Sequence, residues 1–285
     1  MKIAYASDLH VDFWINELNF LNPRFKNLVD SYIENILRPP EADILIIAGD
    51  IGHYNKQNIE VLNKLGEYYK NIVVTFGNHD LYMISKTIQS NYDYNSFNRL
   101  SEFKQMCTEN GIHFLDGDNI VIDGVRIAGG GMWYDIDGDI SGWKSSTNDA
   151  VYIMEHKPLS NEYQGMYGAL IPNHNTGFDC EKFYKNEVKK LENISECDVF
   201  VSHVIPVKLP PSLLPKSNRL NNRYRMMYES DNLELLKKIK AKYCIFGHSH
   251  TLYNNTYENI NFLSSCIGYK SEKLNHKIEV FNVDL

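Results

Sequence analysis

The feature that most restricts the fold is a run that is apolar at every position, Ile44-Leu45-Ile46-Ile47. A strand with one face in water alternates polar and apolar residues, so a strand without alternation belongs in a sheet covered on both faces. Similar short runs stand at residues 2–6 and 72–76, with longer amphipathic stretches at 24–37 and 59–69 between them. That succession reads as β-α-β-α-β, parallel strands joined by helical crossovers. A helix over 95–109 is stopped by Gly111, and strands at 120–122 and 125–128 are joined by Asp123-Gly124, a tight-turn pair. Further on, the pattern predicts helices over 178–191 and 232–240, and strands at 199–202, 243–246, 261–264 and 277–283.

Two stretches carry no period. Residues 132–176 hold Trp133, Tyr134 and many Asp, Asn and Gly residues, while 206–225 set Pro210, Pro211 and Pro215 among Lys208, Lys216, Arg219, Arg223 and Arg225. Both are expected to be irregular rim insertions of a single domain spanning 1–285, the usual place for loops that choose a substrate. The second stretch reads most simply as a solvated basic face, with a phosphate-steering lid as the sharper alternative.

A formal charge of -7 excludes a general electrostatic footprint for nucleic acid or an anionic membrane, and no nucleic-acid-binding appendage is evident. No apolar run is long enough to cross a bilayer, and the N-terminal run reaches Ser7-Asp8 too early for a signal peptide. The five cysteines are odd in number and widely spaced, which argues against a disulfide framework and for a cytoplasmic chain.

The chemistry collects where strands end. Asp8-Leu9-His10, Gly49-Asp50, Gly77-Asn78-His79-Asp80, Ser202-His203 and Gly247-His248-Ser249-His250 each follow an apolar run. Strand ends in such sheets converge on one crevice, so these blocks are expected to meet. An Asp-x-His pair at a strand end should share a face, because alternate side chains do. Carboxylate, imidazole and amide oxygen without thiolate suit divalent Mn, Fe, Zn or Ni, and one carboxylate, for which Asp50 is the candidate, can bridge two ions. A lone Asp or His near a turn more often caps backbone than binds metal. Seven suitable donors at five strand ends weigh against that reading.

This ordered set resembles the calcineurin-like metallophosphoesterases, whose blocks read Asp-x-His, Gly-Asp, Gly-Asn-His-Asp/Glu, His and Gly-His-x-His. The resemblance implies an α/β fold, a four-layer αββα sandwich of two mixed β-sheets flanked by helices. It implies two divalent cations, one on Asp8, His10, Asp50 and His250 and the other on Asp50, Asn78, His203 and His248. It also implies hydrolysis of a phosphate mono- or diester, a nucleotide or phosphoprotein among the possible substrates, by a metal-bridging hydroxide. His79 would act as leaving-group acid with Asp80 orienting its ring. Asp12-Phe13, residues 77–82 and Gly131-Met132-Trp133 look like a bacterial branch of these proteins, in which His203-Val204-Ile205-Pro206 often reads His-His-x-Pro. A catalytically silent scaffold of the same fold is the alternative, and it should have lost ligands that this chain retains. His53 and His174 lie near the expected site without an assigned role, while His113, His156 and His276 read as ordinary solvated or satisfied histidines.

Overall fold

The structure, a computed structural model, describes residues 1–157, 176–214 and 225–283. In chain order its strands are β1 (Lys2–Ala6), β2 (Ile44–Ala48), β3 (Asn71–Thr75), β4 (His113–Phe114), β5 (Asp118–Ile122), β6 (Val125–Gly129), β7 (Val199–Val201), β8 (Tyr243–Ile245), β9 (Leu252–Tyr257), β10 (Ile260–Ser265) and β11 (Glu279–Asn282). They form one sheet of order β11-β1-β2-β3-β4 and a second of order β5-β6-β7-β8-β10-β9. Both are mixed: β1 to β4 run parallel with β11 antiparallel on β1, and β6-β7-β8-β10 run parallel with β5 and β9 antiparallel at the edges.

The unbroken apolar run has a direct structural reason. Leu45 and Ile47 pack with Ala4, Ala6 and Val74 against helical Phe25, Val29, Leu62 and Phe103. Ile44, Ile46 and Ala48, on the opposite face, pack with Ile3 and Val73 against Val125, Ile127, Val199, Val201 and Ile245 of the second sheet. The outer face of that sheet, through Ala128, Phe200, Cys244 and Phe262, is covered by Leu191, Leu236 and Ile239. The result is helix, sheet, sheet, helix, as the resemblance implied. Burying each such isoleucine is worth about 1.5–3 kcal/mol on either face of β2.

Helix boundaries shift by a few residues. The expected 24–37 helix is Pro23–Tyr32, started by Asn22 accepting from the Arg24 N–H and finished by a wider-wound turn at Ile33–Leu37. The 59–69 expectation becomes Asn55–Leu65. Strands β4 and β9 were not anticipated. Residues 113–114 are too few to show a period, and Leu-Tyr-Asn-Asn-Thr-Tyr reads as a loop until its backbone is paired along β10.

The larger correction concerns the aperiodic stretch from 132. Its described part is packed, with helices Ile140–Ser146 and Asp149–Tyr152 and with Trp133, Tyr134, Trp143 and Tyr152 buried in one aromatic core beside Phe76, Tyr82 and Phe183. Aromatic shape fills this region where periodic patterning does not. His174, Pro215, Lys216, Arg219 and Arg223 lie outside the described residues. All five cysteines are buried and none is in a disulfide. Among the described residues no helix is long and apolar enough to cross a membrane.

Candidate active site

The two sheets deliver their loops to one place. Asp8, His10, Asp50 and Asn78 follow β1, β2 and β3, while His203, His248 and His250 follow β7 and β8, and all seven are buried. Strand alternation is not what aligns them. Asp8, His10, Asp50, His248 and His250 have left-handed backbone, with φ of 52°, 45°, 55°, 64° and 52°. Each is a residue type that pays about 1–2 kcal/mol for that conformation, so the tight turns past the strand ends are held by the surroundings and aim the side chains inward. Gly49, at φ +80°, serves the same turn. A Cβ there would lie 2.7 Å from the Gly77 nitrogen and from His203 Nδ1.

The donors fall into groups that fit a cation. Asp8, His10 and His250 place ligand atoms within 4.8 Å of one another, and so do Asp50, His203 and His248. His250 Nε2 is 3.3 Å from Asp8 Oδ1 and 3.1 Å from His10 Nε2. Asp50 Oδ2 is 3.3 Å from His203 Nε2 and 3.9 Å from His10 Nε2, between the two groups. Asn78 Oδ1 meets His203 Nε2 at 3.1 Å.

Outer partners set the tautomers. The Nδ1–H of His203 is placed to donate to the Ala48 carbonyl at 2.8 Å, the Nε2–H of His248 to the Met227 carbonyl at 2.9 Å, and the Nδ1–H of His250 to Glu272 Oε2 at 2.5 Å. Each ring therefore turns its other nitrogen to the centre, the usual arrangement around metal-binding imidazoles. Buried His10 Nδ1 has no hydrogen-bond partner among the described residues, and its Nε2 faces the cluster.

Charge follows the same design. Burial pushes the Asp8 carboxyl up, but the His250 ring and the other imidazoles outweigh it and hold Asp8 well below the usual carboxylate range. Burial, then His250, keeps His10 well below the usual imidazole range. Burial opposes charging of His203, yet the Asp50 carboxylate raises its pKa to about 10, so binding a cation there must displace a proton.

His79 and Asp80 part company. His79 is buried beside the cluster, its ring centroid 4.5 Å from that of His10. Its Nδ1 lies 2.9 Å from His53 Nε2, and its Nε2 lies 2.9 Å from the Tyr269 hydroxyl. Asp80 does not meet the ring. Its Oδ2 accepts from the Asp50 and Gly77 N–H groups, both at 2.8 Å, and its Oδ1 accepts from the Ile51 N–H at 3.2 Å. Its expected role in orienting His79 is corrected accordingly: the short turn after Asn78 points the carboxylate back at the two loops, which it ties together. Burial, then Asp50, raises its pKa to about 6.

A cavity of about 560 Å³ opens onto Asp50, Asn78, His79, His248 and His250, with Phe13, Tyr228 and Tyr269 in its wall. Residues 1–252 match the family described as calcineurin-like phosphoesterase. The chain belongs to that family. This calcineurin-like phosphoesterase is 23% identical over 287 residues to uncharacterized protein L509 of Acanthamoeba polyphaga mimivirus, a match covering 96% of this chain and 93% of that one. Its fold is similar to that of phosphopantetheinyl hydrolase from Mycobacterium tuberculosis, with a TM-score of 0.64, 14% identity, and coverage of 98% and 95% of the two chains. Family membership supports phosphoester hydrolysis, and the buried Asp and His groups suit the metal ions that the family uses.

In this phosphoesterase Tyr269 and Glu272 escaped sequence reasoning, and so did two residues that brace the site's loops. Asp149 is buried in the cavity wall, where Oδ1 accepts from Asn78 Nδ2 at 3.0 Å and from the Tyr82 hydroxyl at 2.5 Å, and Oδ2 accepts from the Tyr134 hydroxyl. Holding the amide NH2 this way leaves Asn78 Oδ1 facing His203. Arg99, fully buried, donates through Nη1 to the carbonyls of His79 at 3.0 Å, Asp80 at 2.6 Å and Tyr82 at 3.2 Å, and through Nη2 to that of Gly52 at 2.8 Å. Neither sits in a motif, and no periodic signal marks them. Val204, where a second histidine was the family expectation, is buried in the aromatic core.

Proposed function

We propose that this chain is a two-metal hydrolase of small phosphate mono- or diesters. Asp8, His10, Asp50 and His250 would hold one cation, and Asp50, Asn78, His203 and His248 the other. The observation that carries the reading is the pair of adjacent buried donor groups, Asp8-His10-His250 and Asp50-His203-His248, with the Asp50 carboxylate within reach of both. A third grouping, His10-Asp50-His79, is less suited to a cation because both nitrogens of His79 are already engaged.

Divalent cations bound there supply a water of lowered pKa and neutralise charge on phosphoryl oxygens. The residues do the rest. Outer partners on His203, His248 and His250 keep donor atoms aimed inward, so little reorganisation is needed when substrate arrives. His79, on the cavity wall, would protonate an ester's departing oxygen. A cavity of about 560 Å³ favours a small organic phosphate. Five buried cysteines without a disulfide favour a reducing compartment such as the cytoplasm.

The test is hydrolysis of para-nitrophenyl phosphate and its bis ester by protein of measured metal content. Turnover should rise with Mn²⁺ up to two ions per chain and vanish in Asp50→Ala. No hydrolysis of either ester at verified two-metal occupancy would favour the silent scaffold.

A further inference from the structure

The imidazole of His79 lies in a line of hydrogen-bonding groups that runs away from the metal donors. Asp12 Oδ1 accepts from the His53 backbone N–H at 3.1 Å, and Oδ2 stands 2.7 Å from His53 Nδ1. His53 Nε2 stands 2.9 Å from His79 Nδ1, and His79 Nε2 stands 2.9 Å from the Tyr269 hydroxyl. His53 is 1% exposed, so solvent does not compete for its ring.

We propose that His53, backed by Asp12, is the positioning residue for His79. This inference rests on the phosphoesterase reading above and deepens it.

The direction of the line follows from which groups can only accept. A carboxylate has no proton to give, so Asp12 Oδ2 takes the Nδ1–H of His53. Where the His53 ring carries that one proton alone, its lone pair is on Nε2, which accepts the Nδ1–H of His79. His79 is left with Nε2 turned to Tyr269 and the cavity. One tautomer of His79 is selected, and the selecting charge sits one ring away.

The local sequence explains the geometry. Asp12 is two residues past His10 in the short helix Val11–Trp14, and His53 is three past Asp50 in the loop before the helix Asn55–Leu65, so the two loops that carry metal donors also carry the pair. Phe13 and Tyr82 flank the His53 ring, with centroids at 5.7 and 5.9 Å, the latter stacked, so the ring has little freedom to turn. On the far side, the Tyr269 N–H donates to Glu272 Oε2 at 2.8 Å, the oxygen that also holds His250, so the cavity end of the line is fixed to a candidate metal ligand. Asp80, in contrast, spends its oxygens on backbone N–H groups.

During turnover the bond from phosphorus to the leaving oxygen breaks with its electron pair on oxygen. To protonate it, His79 must enter turnover with a proton on both nitrogens; the leaving oxygen takes the one on Nε2, while water oxygen forms the new bond to phosphorus and its released proton goes to solvent. His79 returns to the Nδ1–H tautomer, still bonded to His53, and Nε2 is reloaded from solvent through the cavity. Held by His53, the ring keeps Nε2 aimed at the ester throughout.

Two variants test this in zinc-loaded protein. His53→Phe keeps ring packing and removes the acceptor, while Asp12→Asn keeps a carbonyl acceptor for His53 and removes the charge. Two-bond ¹H–¹⁵N correlation spectra, with His79 assigned by loss in His79→Gln, should show one Nδ1–H tautomer in the parent and a mixture in His53→Phe. With alkyl aryl phosphodiesters of poor leaving group, kcat should fall roughly 10- to 100-fold in His53→Phe, part of the 10²–10⁴ that a general acid contributes. KM should stay within about twofold, the loss on para-nitrophenyl esters should be much smaller, and Asp12→Asn should lie between. An unchanged His79 tautomer in both variants overturns the proposal whether or not any ester is cleaved. Equal loss on good and poor leaving groups overturns it too. An inactive, fully metallated parent with His79 in one tautomer would instead overturn the hydrolase reading and leave the positioning role standing.

Discussion

Arg99→Met isolates what one buried guanidinium does for the site. The side chain is 1% exposed and reaches four carbonyls, His79, Asp80, Tyr82 and Gly52, so it joins the loop after β3 to the loop after β2. Charge-assisted bonds are worth roughly 1.5–3 kcal/mol each, but the desolvated charge costs several kcal/mol, so the sum of bonds is not the loss on mutation. The better measure is what stays behind. The Gly52 carbonyl still accepts from Asn58 Nδ2 at 2.9 Å and that of His79 from the Tyr82 N–H at 3.2 Å, whereas the Asp80 and Tyr82 carbonyls keep no other partner among the described residues. Two orphaned carbonyls at about 1–3 kcal/mol each, with methionine filling most of the volume, give a loss of about 3–4 kcal/mol. Against a typical total of about 5–15 kcal/mol the protein stays folded, so equilibrium urea unfolding can measure the loss. Arg99→Lys should recover only part of it, since one ammonium cannot serve both loops. A loss under about 1 kcal/mol for Arg99→Met would refute the claim that these carbonyls depend on Arg99.

Asp149→Leu should lower affinity for the cation at Asn78 and His203 by about 10- to 100-fold, the usual cost of losing an outer partner, as read by isothermal titration with Mn²⁺. Asp149→Asn, which keeps one acceptor oxygen for Asn78 and Tyr82, should lose less. Gly49→Ala forces a Cβ to 2.7 Å from the Gly77 nitrogen and from His203 Nδ1 at φ +80°, so it should cost about 2 kcal/mol or more and reduce metal content, measured by unfolding and by metal analysis. Asp198 is held at about 2 by hydrogen bonds from Arg126, while its unfolded pKa is near 4. A lowered carboxyl stabilises above the unfolded value, so the stability gap between the parent and Asp198→Asn should shrink as pH falls from about 4 toward 2.

The fold was legible because Ile44 to Ile47 can satisfy only a sheet with two covered faces, and the donors because strand ends are where such sheets gather chemistry. The rest lay in contacts between segments far apart in sequence. Nothing in Gly52-His53-Tyr54 says that the ring will meet His79, and Asp149 stands in a stretch whose order comes from aromatic packing and not from a period. The pairing of His79 with Asp80 failed for a local reason: both residues lie in one short turn after β3, and the carboxylate accepts from backbone N–H groups of the loops after β2 and β3.

The candidate donors come from both sheets, four from residues 8 to 78 and three from residues 203 to 250. During synthesis the first four emerge long before the others exist, so a growing chain displays an open half-site of acidic and imidazole groups through most of its translation. The donor cluster closes only when β8 has docked, so on the proposed two-metal reading full occupancy would report that both halves of the sandwich have come together.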